Sequence, residues 1–404
     1  MSKANAAIKK KDTFLQHVSL KNYKSIKDVE IDFKPGLNII IGKNGVGKTN
    51  FVKALNNILD FKYTELPDSK SKIEIKENSQ TISLESRPKS LVRFSIMAES
   101  DVRFNHQFKL HVKEKETETN EIYEIINQLR NTNSEYRSNL IGHGIPYVNT
   151  EFLQIPGSLT ITSYGAISGG MTKFGDSDSV FIKQYFSNLF LDIAINVGEH
   201  ASLDQNYIQH KVSNSDHTFR FLNSVLKFYS PIAEVRINPD FRIEYNDFNN
   251  EIVLTNFSFQ FKVFDTWQSF NFLSDGTKRL FYIISEIAGL NFKYESAIPD
   301  STNFDIIFLE EPELGIHPHQ LHQLMQFIKE QSKEKQIILT THSPQVIDVL
   351  ESNELDRIII CNYDYTNGTQ LNHLTDEQIK KAKKYMTSEA FLSDYWRFSD
   401  LEPA

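Results

Sequence analysis

At 404 residues, with 40% hydrophobic and 24% charged residues, the chain has the composition of a globular protein long enough for two or three domains. Its single cysteine, Cys361, excludes an intramolecular disulfide framework and fits a reducing cytosol, and no apolar run approaches the roughly 20 residues that a membrane helix needs. A net charge of −8 excludes a protein that holds nucleic acid by bulk positive charge, while leaving a local basic groove open.

The polar N-terminus carries Lys9-Lys10-Lys11 with no apolar segment behind it, which argues against a secretory signal. Strands are expected at Phe14–Leu20, Val29–Phe33 and Leu37–Ile41, the last two separated by a Pro35-Gly36 turn. Helical spacing follows at Phe51, Val52, Ala54, Leu55, Ile58 and Leu59. The polar stretch Lys62–Ser79 reads as an exposed loop, and strands follow at Thr81–Leu84, Leu91–Ala98 and Phe108–Val112. The charged run Lys113–Glu118 reads as a solvated turn. Helical spacing at Ile122–Leu129, Val180–Ile195 and Phe219–Phe228, broken by Ser168-Gly169-Gly170, suggests a mostly helical insertion. Strands return at Phe241–Tyr245, Ile252–Leu254 and Phe257–Phe264.

The last third alternates. A helix at Thr277–Ala288, ending on Gly289, is followed by strand Asp305–Leu309 and helix Pro318–Gln331. Strand Gln336–Thr340, helix Pro344–Val349 and strand Asp356–Cys361 complete the series. The expected class is α/β, a mixed β region joined to a parallel-sheet core that is covered on both faces. The segments are 1-115, the insertion 116-235, then 236-361, with a C-terminal tail 362-404. Ligands of such sheets bind at the carboxyl ends of the strands.

Three segments at those strand ends carry chemistry. Gly42-Lys43-Asn44-Gly45-Val46-Gly47-Lys48-Thr49 fits G-x-x-x-x-G-K-[ST] between an apolar strand and a helix. Glycines let successive N–H groups turn inward and the helix start adds its dipole, so the loop suits phosphate. Lys48 would reach the outer phosphates, and the Thr49 hydroxyl would ligate Mg²⁺. Taken alone, the pattern could be a Gly-rich turn. The strand Ile306-Ile307-Phe308-Leu309 ends in Glu310-Glu311-Pro312-Glu313. The first carboxylate suits Mg²⁺ and the second suits activating a water. Ile337-Ile338-Leu339-Thr340-Thr341 delivers His342 to the same crevice, ahead of a helix-starting Ser343-Pro344. In Leu273-Ser274-Asp275-Gly276-Thr277, Ser274 is a helix-cap candidate and Gly276 permits close backbone approach. A plain capped helix is the simpler reading there, and only the order of the whole set argues for a second anion site. His317, His319 and His322 fall at a loop–helix junction with no cysteine to complete a metal set.

In that order the motifs resemble the ABC-type ATPase head of SMC, RecF-type and OLD-family proteins. Gly42–Thr49 resembles Walker A, Leu273–Thr277 the signature motif, Ile306–Glu311 Walker B, and His342 the switch histidine. Glu-Glu-Pro-Glu followed by His317-Pro318, Thr-Thr-His-Ser-Pro, and Leu20-Lys21-Asn22-Tyr23-Lys24-Ser25-Ile26 are most similar to the OLD-like bacterial ATPases. The resemblance covers roughly residues 14–112 and 240–361 and leaves the insertion unmatched. The signature departs from the common form, reading Leu-Ser-Asp-Gly-Thr, and Glu310 stands where transporters have Asp. Asp364 lacks the partner aspartate of an OLD nuclease domain, so an ATPase without its own nuclease is expected.

The resemblance implies a P-loop ATPase with ATP and Mg²⁺ as ligands. ATP would be held by Asn44, Gly45, Val46, Gly47, Lys48, Thr49 and Asn50, with Ser274 and Gly276 contributed across a subunit interface. Thr49 and Glu310 would hold the metal, and Glu311, His342 and Lys48 would carry catalysis. It further implies a cytoplasmic homodimer or higher homo-oligomer that controls a separately encoded nuclease or toxin in bacterial anti-phage defence, with no membrane partner. A RecF-like ATPase acting on DNA in repair is the alternative.

Overall fold

The computed structural model describes residues 13–59, 63–77, 80–88, 106–112, 115–117, 142–145, 158–162, 167–168, 216–246, 251–256, 258–289, 306–386 and 391–398. The stretches expected at Leu91–Ala98, Ile122–Leu129 and Val180–Ile195 lie outside them. The chain divides into two compact units: Met1–Pro146, Glu295–Glu313 and Ile328–Ala404 form the first, and Tyr147–Tyr294 with Leu314–Phe327 the second.

The first unit is built on one mixed sheet. Its antiparallel wing contains β1 (Thr13–Tyr23), β2 (Ile26–Asp32), β4 (Lys70–Glu77), β5 (Gln80–Pro88), β6 (His106–Val112) and β7 (Lys115–Thr117). Its parallel core sets β3 (Leu37–Ile41) between β17 (Gln336–Thr341) and β18 (Ile358–Asp364), with β16 (Ile306–Glu310) and β8 (Gly142–Ile145) outside β17. β19 (Gly368–His373) folds back on β18 and pairs with β2, joining core to wing. All five residues of β3 and all six of β17 are buried, as a parallel strand covered on both faces requires. Each isoleucine taken from water there contributes about 2 kcal/mol.

Three segments differ from the sequence-based expectation. Lys62–Ser79 is no exposed loop: a 3₁₀ turn at Tyr63–Glu65 leads into β4, where Ser71, Ile73 and Ile75 are buried while charged residues between them face outward. That is the alternation of a half-buried antiparallel strand. The Lys113–Glu118 run supplies β7, which closes a hairpin with β6. Pro344–Val349 is a 3₁₀ helix. Past Cys361 the sheet continues through β18 and β19, and helices α5 (Asp376–Met386) and α6 (Leu392–Phe398) follow. The Asp348 carboxylate accepts from Ser393 N–H at 2.8 Å and from its hydroxyl at 2.7 Å, anchoring the first turn of α6 to the 3₁₀ helix.

Gln336, 2% exposed, sits opposite the register shift between Leu15 and His17. Its oxygen accepts from Leu15 N–H at 2.8 Å, and its amide donates to the carbonyls of Leu15 and Lys34. A glutamine thereby satisfies the backbone of Leu15 and Lys34, past the last β1–β2 pair at His17 and Asp32.

The second unit holds a four-stranded sheet of β9 (Ser158–Thr162), β10 (Ile167–Ser168), β12 (Arg242–Asn246) and β13 (Glu251–Thr255). A three-stranded sheet of β11 (Ile232–Ile237), β14 (Phe259–Val263) and β15 (Thr266–Ser269) accompanies it. Helices α2 (Asp216–Tyr229) and α3 (Asp275–Gly289) complete it, and α4 (Pro318–Gln331) has its first ten residues there. Its interior is aromatic: Phe261 stacks edge-on against Phe281 at 4.9 Å between centroids, and Phe219 likewise against Phe259 at 5.4 Å.

Candidate functional site

The carboxyl ends of β16, β17 and β3 lie side by side. The register aligns Glu310 with Thr340, and Thr340 with Ile40, so the Glu310 strand end, the His342 strand end and the start of the Gly42–Thr49 loop share one edge of the sheet. Backbone bonds tie them together: Gly42 N–H donates to Thr341 carbonyl at 3.2 Å and Glu311 N–H to Thr340 carbonyl at 2.9 Å.

The loop leads into helix α1 (Lys48–Leu59). Its first ladder bond runs from Phe51 N–H to Gly47 carbonyl at 3.0 Å, so the N–H groups of Lys48, Thr49 and Asn50 precede the ladder at the positive end of the helix. Lys48 is 4% exposed, and its ammonium donates to Gly42 carbonyl at 2.6 Å and Lys43 carbonyl at 2.8 Å. Lys43, Asn44, Gly45 and Thr49 are exposed. Gly45 and Gly47 have φ of +83° and +105°, and the backbone there turns its N–H groups into a concave nest.

What fixes this loop is a chain of hydroxyls that the motif does not contain. Asn50 Nδ2 donates to Ser25 Oγ at 2.9 Å, Ser25 and Thr369 hydroxyls are 2.8 Å apart, and Thr369 Oγ1 donates to Val46 carbonyl at 2.8 Å. The one Thr369 hydroxyl proton is thus shared between Ser25 Oγ and Val46 carbonyl. Gly47 packs on this chain: a Cβ there would overlap Thr369 Oγ1. Thr369→Val should keep the shape and leave Val46 carbonyl without its partner. A loss of about 1–3 kcal/mol of unfolding free energy, read as a lower urea midpoint, is expected, with weaker nucleotide binding. Unchanged stability and binding would show the strap to be dispensable. Behind the loop, burial pushes the Cys361 thiol up to about 12, with the Lys48 ammonium pulling slightly the other way. A protonated thiol in that position is inert.

The acidic strand end is locally strained. Glu311 has φ +44°, in the left-handed region, immediately before Pro312. Its Oε1 lies 3.6 Å from His342 Nδ1. Glu313, 6% exposed at its side chain, comes closer at 3.3 Å and also accepts from Thr341 hydroxyl at 2.6 Å and from His342 N–H at 3.1 Å. Glu310, Glu311, His342, Lys48 and Thr49 all belong to the first unit. Ammonium, pre-ladder N–H groups and hard oxygen donors together have the chemistry of a site for a phosphate chain with Mg²⁺.

Ser274 and Gly276 belong to the second unit. Ser274 caps α3: its Oγ accepts from Thr277 N–H at 3.2 Å and bonds Thr277 Oγ1 at 2.8 Å, and its side chain stays exposed. Gly276 meets the chain itself, since a Cβ would stand 2.6 Å from Gly315 carbonyl. His317, His319 and His322 are exposed; His319 N–H donates to His317 Nδ1 at 3.3 Å, and His322 Nε2 bonds Gln326 at 2.9 Å. Among the described residues no helix is long and apolar enough to cross a membrane.

The chain is similar to known proteins over most of its length. Two solved heads share its fold. A crystal structure of the SmcHead bound to the C-winged helix domain of ScpA aligns with TM-score 0.54 at 15% identity, covering 91% of this chain and 99% of that one. An Smc head domain with an extended coiled coil, bound to the C-terminal domain of ScpA derived from Pyrococcus furiosus, gives 0.50 at 14%, covering 93% and 99%. The fold is therefore that of an SMC/ABC-type ATPase head. A Helicobacter pylori "ATP/GTP phosphatase" is 22% identical over 377 residues, 88% of this chain and 91% of that protein. The RecF protein of Streptococcus agalactiae is 45% identical over 42 residues, about a tenth of each. The profile of one family matches residues 37–348, from the first strand of the parallel core past the His342 segment. The chain belongs to that family, described as "AAA domain, putative AbiEii toxin, Type IV TA system".

Proposed function

We propose that the chain binds and hydrolyses ATP, and that nucleotide closes a symmetric dimer which controls a separately encoded effector. The observation that carries this reading is the shared sheet edge: Lys48, the Glu310–Glu311 pair and His342 arrive there on three adjacent parallel strands. In this reading Lys48 neutralises the outer phosphates, and the N–H groups of Asn44 through Asn50 cradle them. Thr49 and Glu310 hold Mg²⁺, which supplies positive charge to the phosphate oxygens. Glu311 orients and deprotonates the attacking water, and His342 faces the γ-phosphate. Ser274 and Gly276 face the partner's nucleotide at the positive end of α3.

The family description supports a toxin or defence setting, and the OLD-like wording of Glu310–Glu313 and Thr340–Pro344 supports a stand-alone ATPase with an effector nuclease or toxin. A DNA-repair role is the second reading, favoured by the short RecF similarity. Duplex DNA that stimulates hydrolysis would select it.

The test of shared sites is a mixture. Ser274→Arg should bind ATP as an isolated subunit yet fail to close, because a bulky cation would clash with the facing pocket. Mixed with Lys48→Ala, one composite site regains an intact loop and an intact signature segment, and ATPase should reappear. If Ser274→Arg alone turns over at the unmodified rate, each subunit completes its own site.

A further inference from the structure

Glu313 stands outside the pair assigned to metal and water, yet it is the most enclosed carboxylate at the site. One oxygen, Oε1, gathers three neighbours from a single strand end: Thr341 hydroxyl at 2.6 Å, His342 N–H at 3.1 Å and His342 Nδ1 at 3.3 Å. The other oxygen, Oε2, is buried without a hydrogen-bond partner among the described residues. There, too, the imidazole is the one cation-forming group within ion-pair distance of Glu313. A buried carboxylate needs donors, and this one takes them from residues 341 and 342. Its contact with Nδ1 is at ion-pair distance and is not a formed hydrogen bond, since Nδ1 too is buried without a hydrogen-bond partner among the described residues, and the Glu311 contact is longer still.

We propose that Glu313 is the positioning residue of His342. Its carboxylate accepts the Nδ1 proton, which fixes the ring as the Nδ1–H form and leaves Nε2 as the working nitrogen. The Thr341 and His342 N–H bonds to the same oxygen hold the strand end that carries the ring. The inference rests on the ATPase reading above, in which His342 faces the γ-phosphate. It adds that the imidazole is aimed by a group on the neighbouring strand end, and that this group is Glu313 rather than the water-activating Glu311.

The first test needs no activity. Nitrogen NMR shifts of His342 are read in alkaline buffer, with the signal picked from the 12 histidines by its absence in His342→Gln. A protonated Nδ1 and an unprotonated Nε2 are expected; the reverse tautomer overturns the proposal. The second test is kinetic. Glu313→Gln keeps an oxygen for Thr341 and His342 N–H but loses the charge, so it should fold. Its kcat should fall about 10–100-fold, with the KM for ATP changed less than about threefold. Thr341→Val removes one strand-end bond but keeps the Glu313 charge, so its kcat should fall several-fold less than that of Glu313→Gln. Equal losses in both variants, or normal turnover in Glu313→Gln, would reduce Glu313 to a structural tie. An unmodified chain that hydrolyses no ATP would overturn the proposed function and leave the tautomer to decide Glu313.

Discussion

Lys48→Ala is expected to bind ATP about 10²–10³-fold more weakly, the loss that follows when one member of a buried charge pair is removed. The ammonium is held ready by Gly42 and Lys43 carbonyls at 2.6 and 2.8 Å, in a pocket where it is 4% exposed. Little side-chain entropy remains to be lost when phosphate arrives, and both carbonyl contacts can exchange for ion-paired bonds to phosphate oxygens. Alanine leaves phosphate with the loop N–H groups alone. It also deprives the two carbonyls of their donor, so melting temperature should be followed alongside calorimetry. Unchanged affinity would sink the assignment of the loop.

Glu311→Gln should do the opposite to binding and more to turnover: ATP stays bound while hydrolysis slows by about 10²–10⁴-fold. The amide is isosteric, so the backbone at φ +44° and the bond from Glu311 N–H to Thr340 carbonyl need not change. What disappears is a base. Residues in such strained conformations cost about 1–3 kcal/mol and persist where the surroundings over-determine them, which here aims the side chain off the strand end. With turnover blocked, the closed dimer should accumulate with ATP and be seen by size-exclusion chromatography. Normal hydrolysis would move the catalytic role to another carboxylate, with Glu310 or Glu313 the first to try.

Local signals were the legible ones. Leu37–Ile41 and Phe51–Leu59 announce strand and helix by their own periodicity, and the glycines between them announce the turn. The same holds for Ile306–Leu309 and Gln336–Thr340, where unbroken apolar runs fit strands buried on both faces. β4 escaped because its Lys-Ser-Lys-Ile-Glu-Ile-Lys-Glu sequence is polar on average; only the alternation of Ser71, Ile73 and Ile75 marks a buried face. The supports of the site were illegible for a different reason. Ser25 and Thr369 meet across 344 positions, and nothing local to either says that their hydroxyls will reach Val46 carbonyl. Glu313 was visible as a third acid but not as the buried one, because burial of a carboxylate is decided by the strand end opposite it. Glu311 breaks a local rule outright, since a residue before proline ordinarily extends.

The place of β3 also sets the order in which the molecule can be made. Both of its neighbours come from the far end of the chain, β17 on one side and β18 on the other. At about 5–20 residues per second, a ribosome that has finished β3 needs on the order of tens of seconds more to produce its first partner. During that interval β1, β2, β4 and β5 can already pair with one another, while the four apolar residues of β3 wait unpaired. The phosphate loop is among the first segments synthesised and the last to acquire its shape, and the nascent protein passes through synthesis with a sticky strand that chaperones must shield.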